Sequence, residues 1–499
     1  MGMSENFNCS ISKRGKKQIE IRTNYSLKKT KRKKQKFCLN AYIYTPAQLG
    51  IRNERYSKET FFNNFVSNTR YKTPEIELSQ IISPEFELSP VLRLESIFKK
   101  ENFKKIKDSF ILYELKTLLN IVQNQLRSGS DKLIRGIDSR KYSEQFILNT
   151  GEVLFNNVEA IHKSIRNMVK RTEESAFSDM VKQSFLWLDE GMSIRIEKSA
   201  GRIYNSLSCE KLLPDFCKSL IEIIRKQVDY RINSGYGTRV SRSNPAITEY
   251  MLYRENEIKK WAESSMYMSK NETNTVNNLV QIMFGAAAAV AMSVAVFASI
   301  ISLKWFDSGS IYWAIIAVIA YILKDRIKEG LRVFFARFIP RFIADKVQIV
   351  IDPRTGKKCG KTKERILHKT KDSVPGATQK LRLKNKDVLL KKLVAEDIIQ
   401  YQKNIVIDSN DLLGKHKRLE SINEIMRLDM RHWFYRMDRD REFRFHLEGD
   451  TLETVRTERV YHFTVILGMS EVYSGMEEEL KRYRIIANSN GIRRIDEVD

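Results

Sequence analysis

Residues 349–362 read IVIDPRTGKKCGKT, and Gly360, Lys361 and Thr362 match the end of the phosphate-binding pattern G-x-x-x-x-G-K-[ST]. The first glycine of that pattern belongs at Thr355, and Gly356 comes one residue late. A second IVID at 405–408 sets Asp408 where a magnesium-holding strand end would stand in a nucleotide enzyme. The region lacks the alternation of strand and helix that a parallel sheet requires. Asp352-Pro353-Arg354-Thr355-Gly356 instead fits a turn, with proline fixing φ and glycine taking φ > 0. The spacing predicts a hairpin joining VQIVI to KKCGK.

Other reactive side chains form no recognisable catalytic pattern. Glu159 and His162 make a single E-x-x-H, whereas a di-iron bundle needs a second copy and two further glutamates, so a surface pair is expected. His446-Leu447-Glu448 resembles half of a deaminase signature, but no P-C-x-x-C follows. Cys9, Cys38, Cys209, Cys217 and Cys359 are scattered and odd in number, predicting neither a disulfide framework nor a zinc site. No catalytic, cofactor-binding or metal-ligating residue is assigned, and no cofactor or small-molecule substrate is expected.

The elements that would position any site are set by one apolar stretch. LVQIMFGAAAAVAMSVAVFASIISL, residues 279–303, has Gln281 as its one strongly polar member. At about 1.5 Å per residue it reaches roughly 37 Å, enough to cross a hydrocarbon core of about 30 Å. IYWAIIAVIAYIL, 311–323, is shorter, and either spans or re-enters. Lys324, Arg326, Lys328, Arg332, Arg337 and Arg341 follow it, against Lys304 alone in the connection, so a hairpin with both ends in the cytoplasm is predicted. These six cations are the expected membrane-surface contacts. Gly285, Ala289, Ala291, Ala295 and Ser299 stand at four-residue steps and are the expected helix-packing positions, within the hairpin or between copies. Residues 325–346 mix arginines with phenylalanines and isoleucines, as in an amphipathic helix lying in the headgroup layer and bent at Pro340.

Periodicity divides the rest. Residues 1–90 alternate in strand fashion at KKQIEIRT and KFCLNAYIYT, around the basic loop KKTKRKKQK at 28–36. Residues 91–275 step at helical spacing, as in Leu154, Val158, Ile161, Ile165 and Met168, with breaks expected near 128–130, 200–201, 214 and 234–245. A transmembrane hairpin at 276–325 and the juxtamembrane helix at 326–345 follow. Residues 346–499 return to strands at KVQIVID, KNIVID and RVYHFTVIL, with a helix expected over 421–437 and a terminal hairpin turning at Asn488–Gly491. The fold class is therefore an α+β integral membrane protein, with a helical cytosolic region, a membrane hairpin and a β-rich carboxyl-terminal domain. The turn at 352–356 should then lie just under the membrane.

The chain carries 87 Lys+Arg against 61 Asp+Glu, a net charge of +26, which demands a nearby polyanion. An anionic lipid bilayer is the nearer candidate and nucleic acid the lesser one.

YSKETFFNNFVSNTRYKTP (56–74), YILKDRIKEGLR (321–332), IDPRTGKKCG (351–360) and RYRIIANSNGIRRIDE (482–497) together resemble a widespread family of uncharacterised bacterial two-transmembrane-helix proteins. That resemblance implies an architecture, with KDRIKEG as the cytoplasmic exit of the second span, and no site. The expected function is a non-enzymatic tether, scaffold or sensor in the cytoplasmic membrane with both termini cytosolic. The alternatives are a membrane-perturbing effector of a stress or defence pathway, acting as an oligomer, and a membrane-anchored nucleotide enzyme using Lys361 and Asp408.

Overall fold

The computed structural model describes residues 7–498 apart from 53, 100–106, 140, 174, 176, 211, 273–274, 306–309, 339–343, 385–394, 439–440 and 474–477. Period-two patterns make the first strands: β1 (Phe7–Arg14), β2 (Gln18–Ser26), β3 (Gln35–Pro46) and β4 (Phe65–Tyr71). Between the last two lies α1 (Lys58–Asn63), capped by Ser57, whose hydroxyl accepts from the Thr60 amide at 3.2 Å.

A helical unit follows: α2 (Leu78–Ile82), α3 (Pro90–Lys99), α4 (Asp108–Asp138), α5 (Glu144–Glu173), α6 (Asp179–Glu210), α7 (Pro214–Asn233) and α8 (Pro245–Glu263). Its own core gathers Leu115, Leu118, Val158, Ile161, Leu188 and Met192, each on the inward stripe of its helix. The breaks expected at 214 and 234–245 are present, whereas α4 runs through Ser128-Gly129-Ser130 and α6 through Ala200-Gly201. Gly129 has a packing reason to sit inside a helix. A Cβ there would stand 3.0 Å from Leu154 Cδ1, so the glycine admits a neighbouring side chain rather than stopping the helix.

The chain then makes β5 (Ser269–Glu272), a helical hairpin of α9 (Thr275–Trp305) and α10 (Ile311–Phe338), and the strand β6 (Lys346–Ile351). α10 runs unbroken through the apolar stretch into the basic one, so the second segment and the start of the amphipathic helix are one element. Pro340 and Arg341 lie outside the described residues. Next come β7 (Lys358–Lys369), α11 (Gly376–Leu383), β8 (Glu396–Ile407), α12 (Ser409–Lys415), β9 (Ser421–Asp429), α13 (Arg431–Phe434), β10 (Arg441–Glu448), β11 (Thr451–Glu458), β12 (Tyr461–Glu471), β13 (Glu479–Asn488) and β14 (Gly491–Val498).

Pairing joins the two ends of the chain into one mixed α+β architecture. An antiparallel eight-stranded sheet has the order β14-β13-β12-β3-β8-β7-β6-β5, and a four-stranded sheet the order β1-β2-β9-β4. β3 is thus central between β12 and β8, and β9 lies between β2 and β4. Strands expected in separate regions, 1–90 and 346–499, share one core in which Phe37, Leu39 and Ile43 meet Ile19, Met426 and Leu428. On the opposite face of the large sheet, Tyr42, Tyr44, Ile398 and Ile466 are covered from the α11 side by Val374 and Leu381. The helical unit and the hairpin are insertions into this β unit, after β4 and after β5.

Residues 421–437 are not one helix. Ile422, Glu424, Met426 and Leu428 alternate inward along β9, and only Arg431–Phe434 is helical. Ile422, Ile425, Met426 and Trp433 imitate helical spacing, and Glu424 on the buried face hides the period of two.

Candidate functional site

The turn after β6 sits at the seam between the β unit and the helical unit. The Gly356 amide donates to the Asp352 carbonyl at 2.9 Å, the Asp352 amide donates to the Lys357 carbonyl at 2.9 Å, and Gly356 takes φ +66°. This is the hairpin anticipated between VQIVI and KKCGK, with Gly360, Lys361 and Thr362 inside β7 and paired to both β6 and β8. A strand, not a helix amino end, therefore follows the turn, and no backbone amides converge as a phosphate loop requires. Gly360 is needed for another reason: a Cβ would meet the Val406 carbonyl oxygen at 2.6 Å.

Asp352 points inward from the turn and is 1% exposed. Its Oδ1 accepts from the Tyr71 hydroxyl at 2.8 Å and the Arg354 amide at 3.1 Å. Its Oδ2 accepts from Thr355 Oγ1 at 2.6 Å and from His416 Nε2 at 3.1 Å. Burial raises the Asp352 pKa, but the bonds from His416 and Thr355 outweigh it and hold the carboxyl well below the usual carboxylate range. An ionised carboxylate only accepts, so the His416 proton belongs on Nε2. The Nδ1 of His416 is buried without a partner.

Residues of the helical unit close over this group. The His416 ring lies 5.0 Å from Tyr71 and 6.1 Å from Tyr113 of α4, and the Arg354 guanidinium sits 4.8 Å over Tyr113 while donating to the Lys415 carbonyl at 2.9 Å. Glu114, beside Tyr113, is fully buried and shared by two arginines. Arg93 of α3 donates to Oε1 at 3.0 Å, and Arg418, from the loop before β9, donates to Oε2. Nε and Nη1 of Arg418 are buried and unpartnered, at a cost of roughly 1–3 kcal/mol for each unsatisfied buried donor. Between the two units remains a cleft of about 310 Å³, walled by Arg93, Phe110 and Tyr113 on one side and Arg354, His416 and Arg418 on the other. Lys415 and Lys417 stand exposed at its mouth.

Two further polar clusters are buried but enclosed by their partners. Between the sheets, Lys403 of β8 pairs with Glu364 of β7 at 2.7 Å and with Glu424 of β9, while Lys270 of β5 reaches Glu424 at 3.3 Å. Two ammonium and two carboxylate groups balance. In the helical unit, Asp189 accepts from Tyr230 at 2.6 Å and Tyr236 at 2.7 Å and faces His162 Nε2 at 2.7 Å. His162 is thus 1% exposed, against the surface pair expected from E-x-x-H, and Glu159 pairs with Lys226 instead. Burial holds the His162 ring below its ordinary pKa despite Asp189. Among the described residues, no group of three or more His, Cys, Asp or Glu side chains is placed to hold a metal ion.

One helix among the described residues is long and apolar enough to cross a membrane, Gln281–Trp305 within α9, at a mean hydropathy of 2.2. Only 17% of that window is buried, unlike a core helix. Ala291, Ala295 and Ser299 lie on the buried or half-buried side of α9, with Ala287 and Ser302. Gly285 and Ala289 are exposed, and nothing lies within 4 Å of a Cβ built at Gly285. On α10, Lys324 sits 3.9 Å over the Tyr321 ring, Arg332 reaches 5.4 Å from the Phe284 ring across the hairpin, Arg326 is exposed and Lys328 half-buried. The side chain of Arg337 lies outside the described residues.

Sequence reasoning singled out Asp352, Arg354 and Gly356 as a turn and set it under the membrane. The turn lies at the end of β6 away from the hairpin, about 17 Å along the strand at roughly 3.3 Å per residue. Tyr71, Arg93, Tyr113, Glu114, His416 and Arg418 carry no motif, and only the fold brings them together. Scans against known protein families, curated proteins and solved structures found no match to this chain.

Proposed function

We propose that the chain is a two-span protein of the cytoplasmic membrane that acts as a non-enzymatic sensor or scaffold, with both termini cytosolic. The observation that supports this reading is how the α9–α10 hairpin joins the rest. It departs from β5 and returns into β6, neighbouring antiparallel strands at the edge of the large sheet, where Lys346 pairs with Glu272. Both feet of the hairpin therefore leave the same edge, as a re-entering pair of spans requires. Ile282, Phe297, Ile300, Ile315, Ile319 and Ile322 stay exposed along it, an apolar surface suited to acyl chains. The cations Lys324, Arg326, Lys328 and Arg332 follow the second apolar stretch in sequence, and Arg332 lies against Phe284 near the start of the first. The outward Gly285 and Ala289 favour association of hairpins between copies, the arrangement that the membrane-perturbing alternative would use.

Fractionation and thiol labelling test the reading. The protein should resist alkaline extraction from membranes, and release into the soluble fraction would end the proposal. Cys209 is the exposed thiol of the helical unit, whereas Cys359 is buried. A membrane-impermeant maleimide should reach Cys209 in inverted vesicles and not in intact cells; the reverse result would reverse the topology.

A further inference from the structure

The cleft at the seam gathers more positive charge than its carboxylates answer. Arg93 and Arg418 share Glu114, and Lys415 pairs with Asp411 at 2.5 Å. Among the described residues, Arg354 and Lys417 have no carboxylate within ion-pair reach, and Arg354 ends on a backbone carbonyl. The side chains of Arg418 and His416 are 6% and 2% exposed, yet Arg418 keeps two nitrogens, and His416 one, without a partner. Folded proteins seldom leave buried polar groups unmade unless a ligand, an ion or water completes them.

Size and geometry narrow the ligand. A volume of about 310 Å³ is at the small end for organic ligands and excludes a macromolecule as the occupant. Guanidinium groups present planar forks that match phosphate oxygens, and a dianion is the group best able to draw two arginines and a lysine together. We propose that this cleft binds the phosphate group of a small ligand. Arg418 and Arg354 meet its oxygens and Lys417 closes the mouth, while His416 stays on Asp352 through Nε2. Phe110 and Tyr113 offer ring surfaces to the remainder of the ligand. The inference rests on the sensor reading only in giving that sensor its signal; binding itself does not depend on α9 crossing a bilayer. The phosphate can arrive on a free phosphoester or on a lipid headgroup.

Full-length protein in detergent should be titrated calorimetrically with inorganic phosphate, pyrophosphate and ATP, and, in nanodiscs, with neutral lipid with and without a phosphoinositide. Binding of a soluble probe identifies a free ligand, and binding confined to the phosphoinositide discs identifies a headgroup; either supports the proposal. Lys417→Glu and Arg354→Gln alter exposed or half-exposed positions and should each weaken binding about tenfold or more, while Lys163→Glu, an exposed control on α5, should not. Amide hydrogen exchange of the unaltered protein should slow at 110–117 and 414–419 when the probe binds, a readout independent of any variant. No binding of any probe at millimolar concentration, or equal losses in Lys417→Glu and Lys163→Glu, would overturn the proposal. A chain that binds phosphate but fractionates as soluble would retain this inference and lose the membrane reading. A chain that embeds but binds no probe would do the reverse.

Discussion

Lys403 of the eight-stranded sheet and Glu424 of the four-stranded sheet form an ion pair across the core that joins them, both side chains wholly buried. Burial pulls the Lys403 pKa down, but Glu424 and Glu364 more than reverse it, to about 12. Burial raises Glu424, and Lys403 and Lys270 reverse that to about 2. Removing one partner strands a charge. Lys403→Met should destabilise the protein by roughly 3–5 kcal/mol in denaturant unfolding. Adding Glu424→Leu should restore part of the loss, because Glu364 and Lys270 then balance. A single variant within about 1 kcal/mol of the parent would show that the pair does not hold the sheets together.

Lys270 gives a pH dependence of opposite sign to that of a stabilised lysine. Burial, and then Lys403, draw its pKa down to about 8 despite Glu424. Between about 8 and the ordinary lysine value of about 10.4, the unfolded chain holds a proton that the folded chain has released, so this residue's contribution to stability rises with pH. Unfolding midpoints of the parent should therefore gain on those of Lys270→Met from pH 8 to 10. A difference that stays flat, or reverses, would contradict the burial assigned to Lys270.

Gly360→Ala should cost roughly 1–3 kcal/mol, because the new Cβ meets a backbone carbonyl that the sheet holds in place. Gly414→Ala, with nothing within 4 Å, is the matched control and should be near neutral. Equal effects in thermal unfolding would remove the steric account.

Glu114→Gln should loosen the seam. It leaves Arg418 without its carboxylate while Arg93 keeps access to water, for a loss of roughly 2–4 kcal/mol. Limited proteolysis should cut faster between the units, at residues near 414–420, while the helical core stays protected. Unchanged cleavage would show that other contacts hold the units together.

The local elements were legible where periodicity or turn chemistry stands in the residues themselves. β6, the turn at Asp352–Gly356 and the long helices are of that kind. Hidden elements have specific causes: Glu424 masks a strand because its compensating lysine is on another sheet, and Gly129 imitates a helix stop because Leu154 needs the space. The site was illegible for a topological reason. Tyr71, Asp352 and His416 converge only because β4, β6 and the segment before β9 are brought to one place, and no spacing along the chain encodes that distance. Pairing of β3 with both β8 and β12 is hidden in the same way.

The attachment of α9 and α10 to β5 and β6 also decides how the protein bears force. A pull on the hairpin acts along these strands and loads the β6–β7 hydrogen bonds in shear, side by side, from Lys346 to Ile351. The turn where Asp352 holds His416 stands at the opposite end of β6 from that load.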